Sequence, residues 1–237
     1  MSIYDKIKII TYATHSEGTF NEMMNNNFNM KIDVVGYGDE WKGFMNKIKT
    51  IYEYLQNISD DMIVVIVDGF DTEINGYIET VYKKFLDMNT RILLSTCISN
   101  PLSKRVYGTC IGNITANGGL YMGYVKDIKE LYKLMIENAE GNDDQFELNK
   151  NCKFLKDRIK IDTEGIIFKN IRTESRILSP ILGETYTNAI FIGTPGQLSF
   201  SRLKRVPKEF FHIFKNEAII LLLFICVFLI YKIKNTK

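Results

Sequence analysis

Residues 62 to 67, "MIVVIV", are six consecutive apolar positions, four of them Val or Ile after the leading pair, and the run ends on Asp68 and Asp71 in "VDGFD". A short, uninterrupted β-branched run reads as a strand with both faces covered. Such a strand cannot lie at the surface of a one-sided sheet. It requires packed layers above and below, which makes an α/β sandwich the expected architecture.

The flanking sequence alternates in the same sense. "IKIITYAT" (7–14) and "KIDVVGYG" (31–38) read as strands closed by turn or polar residues. Residues 42–57 place Phe44, Ile48, Ile51 and Leu55 at helical spacing. "GYIETVYKKFLDM" returns to that spacing, and "RILLST" reads as a strand. After a turn-rich stretch, "GGLYMGYV" reads as a strand and "KDIKELYKLMIENA" as a helix. "RIKIDTEGIIF" supplies two short strands and "AIFIG" a last one. This alternation predicts a largely parallel sheet.

The 237 residues, 46% hydrophobic, suit one sizeable core with an appendage. A formal net charge of +2 leaves no electrostatic footprint for nucleic acid. The four cysteines (Cys97, Cys110, Cys152, Cys226) show no metal-finger spacing and suit a reducing compartment, Cys97 with Cys110 being one conceivable pair. The first residues lack an apolar signal segment. Residues 218–231, "AIILLLFICVFLIY", carry no charge and sit behind a basic linker, 201–217. The run is shorter than the roughly 20 residues a spanning helix wants, but "FFHIF" and flanking lysines can extend it through the interface, so a C-terminal hydrophobic helix acting as a single-pass membrane anchor is expected. The larger basic cluster lies upstream, which by the positive-inside rule puts the main domain on the cytoplasmic side.

In open α/β sheets, ligands bind beyond the carboxyl ends of the strands. Two like charges at the end of the most hydrophobic strand cost free energy unless a cation or strong donors answer them. Two carboxylates suit Mn²⁺ or Mg²⁺, with phosphate oxygens and water completing the shell. Helix capping is the plainer role for such an aspartate.

"VDGFD", together with "GYGDEWKG" (36–43), "NGGLYMGY" (117–124) and "GNDDQF" (141–146), resembles the glycosyltransferase domain of procollagen lysyl hydroxylases and is similar, more distantly, to collagen hydroxylysine galactosyltransferases. The resemblance runs from about Ile7 to about Gly196, within a domain taken as residues 1–200. It implies a GT-A-like, Rossmann-like nucleotide-sugar fold that transfers galactose or glucose from a UDP-sugar, with Mn²⁺ (or Mg²⁺), to a hydroxyl on a protein or glycan acceptor such as hydroxylysine. By position, Asp68 and Asp71 match the metal ligands. Thr11, Trp41, Lys47 and Phe70 match donor-binding residues, Phe70 standing where a tyrosine stacks on uracil. Gly193 and Thr194 belong to the segment that closes on the metal. Asn117, Asp143 and Asp144 match residues facing the transferred sugar and acceptor. Ile192 occupies the place of the family's third metal ligand, a histidine. That departure leaves a second reading: a membrane-anchored nucleotide- or sugar-binding or structural relative with weak or no activity.

Each residue also has a plainer role. Trp41 can be core, Gly118 and Gly119 can relieve a turn, and Asp143 can cap a helix.

Overall fold

The computed structural model describes residues 2–98, 101–171 and 188–195. All of them fall within one compact unit, Met1–Gly196. In chain order the elements are β1 (Ile7–Tyr12), α1 (Phe20–Met24), β2 (Ile32–Val35), α2 (Phe44–Leu55), β3 (Ile63–Asp68), β4 (Thr72–Ile74), α3 (Ile78–Asp87), β5 (Ile92–Thr96), α4 (Pro101–Tyr107), β6 (Ala116–Tyr124), α5 (Val125–Glu137), α6 (Asp144–Asn151), β7 (Ile159–Asp162), β8 (Phe168–Asn170) and β9 (Phe191–Gly193).

Six strands form the main sheet in the order β2-β1-β3-β6-β5-β7. The pairs β1–β2, β1–β3 and β5–β7 are parallel, while β6 runs antiparallel to both its neighbours. The sheet is therefore mixed, and the exception matters for the site. Val67 pairs with Leu120, so the amino end of β6 lies beside the carboxyl end of β3. A small second sheet, β4-β9-β8, flanks the first.

The continuous apolar run of β3 is explained by the layers. Val64 and Ile66 pack in one core with Ile48, Ile51 and Leu55 of α2 and Ile128 and Leu131 of α5. Ile63, Val65 and Val67 face the other way, against Val81 and Phe85 of α3 and Phe168 and Phe191 of the small sheet. Burying each such side chain stabilises the fold by about 1.5–3 kcal/mol, so neither face of β3 tolerates a polar residue.

Several expectations change. Phe44 does not join the buried face of α2; it is 43% exposed, and Met45 and Lys47 are buried instead. The helix begins at Phe44, at the first position of its first turn. The stretch read as turn-rich contains α4. Cys110 is bonded to Cys152 rather than paired with Cys97, which is a free thiol. The end of α6 carries Cys152 to Cys110, with 5.6 Å between the Cα atoms. Disulfides persist mostly in oxidising surroundings, whereas the scattered cysteine spacing alone suggested a reducing compartment. The linker 201–217 and the apolar run 218–231 lie outside the described residues; among those described, no helix is long and apolar enough to cross a membrane.

Candidate functional site

The site is assembled at the carboxyl end of β3 by four segments: the β3–β4 turn, the amino end of β6, the first turns of α2 and the start of α6. Asp68 is the last residue of β3. Its carboxylate lies against Gly119 of β6, where an added Cβ would collide with it. Gly119 and Gly118 are thus not turn glycines. They sit inside a strand, and their missing side chains admit Asp68 on one side and Gln145 of α6 on the other.

Lys47 enters from α2. Its Nζ is 2.8 Å from Asp68 Oδ1 and 3.0 Å from Asp144 Oδ2, and it approaches the Gly118 carbonyl at 3.5 Å. Its side chain is 5% exposed, against 37% for Asp68 and 10% for Asp144. The contact with Asp144 is an ion pair by distance, but its direction leaves Asp144 Oδ2 without a hydrogen bond. Burial opposes the ammonium charge, yet Asp144 and Asp68 outweigh it and hold the Lys47 pKa above its ordinary value. Burial pushes the Asp144 carboxyl up to about 6, with Lys47 restraining the rise and Asp68 adding to it.

Asp143 caps α6, accepting from the Phe146 N–H at 2.7 Å. Capping fixes the helix start and so aims Asp144 inward. Asn117, on β6 and buried, turns its carboxamide oxygen back to the N–H groups of Gly119 and Leu120 at 2.8 and 3.1 Å. Its amide nitrogen donates to Gln145 Oε1, which also accepts from Gly118 N–H. Gln145 therefore ties α6 to β6, a role the sequence did not announce.

On the other side, Asp71 follows the strand by one turn, and its carbonyl accepts from Thr194 N–H at 2.8 Å. Gly193 pairs with Thr72 in the small sheet and packs against Asn170. This clamps the 193–194 segment beside the aspartates. Ile192, one residue earlier, points elsewhere: it is buried with Ile171 and Ala189. Thr11 is fully buried and spends its hydroxyl on the Val67 carbonyl, 2.9 Å away. It locks β1 to β3. Phe70 is half-buried with its ring 5.2 Å from that of His15. Trp41 is 41% exposed, tilted over Tyr12 and edge-on to Phe44. It belongs to a surface aromatic cluster, not the core.

The structure thus gathers Asp68, Lys47 and Asp144, with Asn117 bound to the same α6 start and Asp71 joined to Thr194. Among the described residues no three His, Cys, Asp or Glu side chains gather as metal ligands do. Asp68 and Asp71 offer oxygen donors only. By donor chemistry alone, oxygen ligands of this kind suit a hard divalent cation.

The profile of the family described as PLOD GT domain matches residues 3–181. The chain belongs to this family. Among similar proteins is the procollagen-lysine,2-oxoglutarate 5-dioxygenase 2 of Mus musculus, 29% identical over 59% of the chain and 21% of that protein. The multifunctional procollagen lysine hydroxylase and glycosyltransferase of Caenorhabditis elegans is 23% identical over 70% of the chain and 26% of that protein. This PLOD GT domain chain therefore spans about a fifth to a quarter of those relatives' length. Its fold is similar to that of a glycosyltransferase involved in the glycosylation of the major capsid of PBCV-1: TM-score 0.50 at 12% identity, over 81% of the chain and 96% of that structure. The mixed α/β sheet is GT-A-like, and the domain is a glycosyltransferase domain by family.

Proposed function

We propose that this PLOD GT domain transfers a hexose, galactose or glucose, from a UDP-sugar to a hydroxyl acceptor, with hydroxylysine of a collagen-like protein the acceptor class the family suggests. The observation that carries the reading is the Lys47 ammonium held between Asp68 and Asp144 where β3 ends. A buried cation between one carboxylate open to solvent and one dry carboxylate is the charge arrangement that a departing diphosphate and an approaching hydroxyl require.

Asp68 and Asp71 would hold Mn²⁺ or Mg²⁺, which supplies Lewis-acid stabilisation of the leaving diphosphate. The rest falls to the chain. Lys47 adds fixed positive charge close to that diphosphate and keeps Asp144 ionised. Asp144, with its pKa raised to about 6, is poised to take the proton of the acceptor hydroxyl near neutral pH. Phe70 offers a ring face for the base, and Trp41 with Phe44 forms an aromatic wall that can cover the donor. Asn117 and Gln145 keep the amino end of β6 fixed against α6. Turnover of UDP-galactose and UDP-glucose by the purified chain, with and without Mn²⁺, tests the reading; metal-stimulated UDP release that disappears in Asp68→Ala supports it.

Ile192 favours a second reading. Its burial among Ile171 and Ala189 leaves the protein two carboxylates for the ion. A chain that binds UDP with Mn²⁺ but never releases it from a UDP-sugar would be a nucleotide-sugar-binding relative.

The membrane anchor over 218–231 remains part of the proposal. The positive-inside rule places the domain in the cytoplasm, whereas the Cys110–Cys152 bond favours the oxidising side. Thiol alkylation of the freshly isolated chain, before and after reduction, decides between the two sides.

A further inference from the structure

Helix α2 begins without a cap of its own. Its N-cap is Gly43, with φ +100° and no side chain to offer, so the first-turn N–H groups need outside partners. Asn142 supplies one: its Oδ1 accepts from Met45 N–H at 3.1 Å, across 97 residues of sequence. Gly43 makes room for it, since a Cβ there would occupy the place of the Asn142 carboxamide. The segment bearing Asn142 is itself fixed, because the buried Glu147 carboxylate accepts from Glu140 and Gly141 N–H at 2.6 and 3.1 Å.

Two residues beyond Met45 stands Lys47, and two residues beyond Asn142 stands Asp144. The cap and the ion pair therefore join the same two segments at matching offsets. The Met45–Asn142 bond therefore holds together the two backbone segments from which Lys47 and Asp144 reach each other. Trp41 lies two residues before Gly43, so the aromatic loop hangs from the same joint.

We propose that Asn142 is a positioning residue that caps α2 from the α6 side and thereby sets the Lys47–Asp144 geometry used in transfer. The proposal rests on the glycosyltransferase reading for its kinetic consequence, but its geometric part stands alone. Losing a cap in general lowers stability. Losing this one also lets the reacting groups drift, and misplacement of about an ångström can cost on the order of 100-fold in rate.

The test compares Asn142→Ala, which removes the acceptor oxygen, with Asn142→Asp, which keeps it. Two readouts are taken on the full chain: steady-state kinetics with a UDP-hexose, and modification of Lys47 by an amine-reactive reagent, quantified by mass spectrometry below the unfolding temperature of each variant. Expected for Asn142→Ala is a kcat lowered by roughly tenfold or more, with donor KM within about threefold, and Lys47 labelling accelerated by a similar factor. Asn142→Asp should restore both. Gly43→Ala, which pushes the carboxamide away and also strains the backbone at φ +100°, should be at least as impaired as Asn142→Ala. Unchanged Lys47 labelling in a folded Asn142→Ala chain overturns the proposal, as does an Asp variant as impaired as the Ala one. A wild-type chain without turnover would sink the transferase reading, while the labelling comparison would still decide the role of Asn142.

Discussion

Lys47 Nζ stands 2.8 Å from Asp68 Oδ1, a helix lysine turned inward onto the last residue of the central strand. Its ammonium also faces Asp144, so one buried cation answers two carboxylates from different elements. Replacing it by methionine keeps the stem and strands both charges. Breaking one side of a buried ion pair commonly costs about 3–5 kcal/mol. Asp68 is partly solvated, so the lower end is expected for Lys47→Met. Urea denaturation at neutral pH measures it, and a loss below about 0.5 kcal/mol, the scale of exposed pairs, would contradict a buried bridge.

The raised pKa of Asp144 gives a sign for pH dependence. Its folded-state pKa, about 6, lies above the ordinary 3.8. Between those values the folded chain binds more proton than the unfolded one, so this group makes stability fall as pH rises from about 4 to 6 and level off above. Two units correspond to at most about 3 kcal/mol. Denaturant midpoints of wild type and Asp144→Asn measured from pH 4 to 7 should converge toward the acid end and separate toward neutrality, with the variant losing less as pH rises. Parallel curves would count against burial as the cause.

Gly119→Ala tests the close approach of β6 to Asp68. The new methyl group meets the Asp68 carboxylate, so Asp68 must move or β6 must shift. Turnover of UDP-sugar should fall by about 100-fold or more, on the scale of a displaced catalytic group, while circular dichroism and the main-sheet fold persist. Retained turnover would show that Asp68 does not act from this position.

The Cys110–Cys152 bond closes a loop of 42 residues. The chain-entropy model assigns such a closure about 4 kcal/mol. Reductant, or Cys110→Ser, should lower the thermal midpoint by about 10 °C. An unchanged midpoint would mean that the cysteines are thiols in the purified protein.

Sequence reading captured the elements whose signal is local. β3 was legible because burial on both faces leaves no polar position, and the spacing of Ile48, Ile51 and Leu55 revealed α2 because that face packs on the sheet. What escaped depended on partners distant in sequence. Lys47 was expected at the donor site by resemblance, but its pairing with Asp68 and Asp144 was not, because those partners come from β3 and α6. Asn142 and Gln145 carry no periodic signal, since each acts through one bond to another segment. The direction of β6 was hidden because parallel and antiparallel strands share the same apolar pattern, and β4 and β9, three residues each, are too short to show alternation. The pairing of Cys110 with Cys152 follows from where α6 ends, which spacing does not encode. Asp143 was the reverse case: an aspartate opening a polar helix announces a cap, and it is one.

The proposed role of Asp68 and Asp71 is to seat a divalent cation that brings a nucleotide diphosphate to the end of β3. Isothermal titration of the purified chain with UDP, in the presence and absence of Mn²⁺, measures it most directly. UDP binding should strengthen by at least about tenfold, roughly 1.4 kcal/mol, when Mn²⁺ is present, and that gain should be lost in Asp68→Ala. UDP affinity that ignores Mn²⁺, or a metal-dependent gain that survives Asp68→Ala, would contradict it.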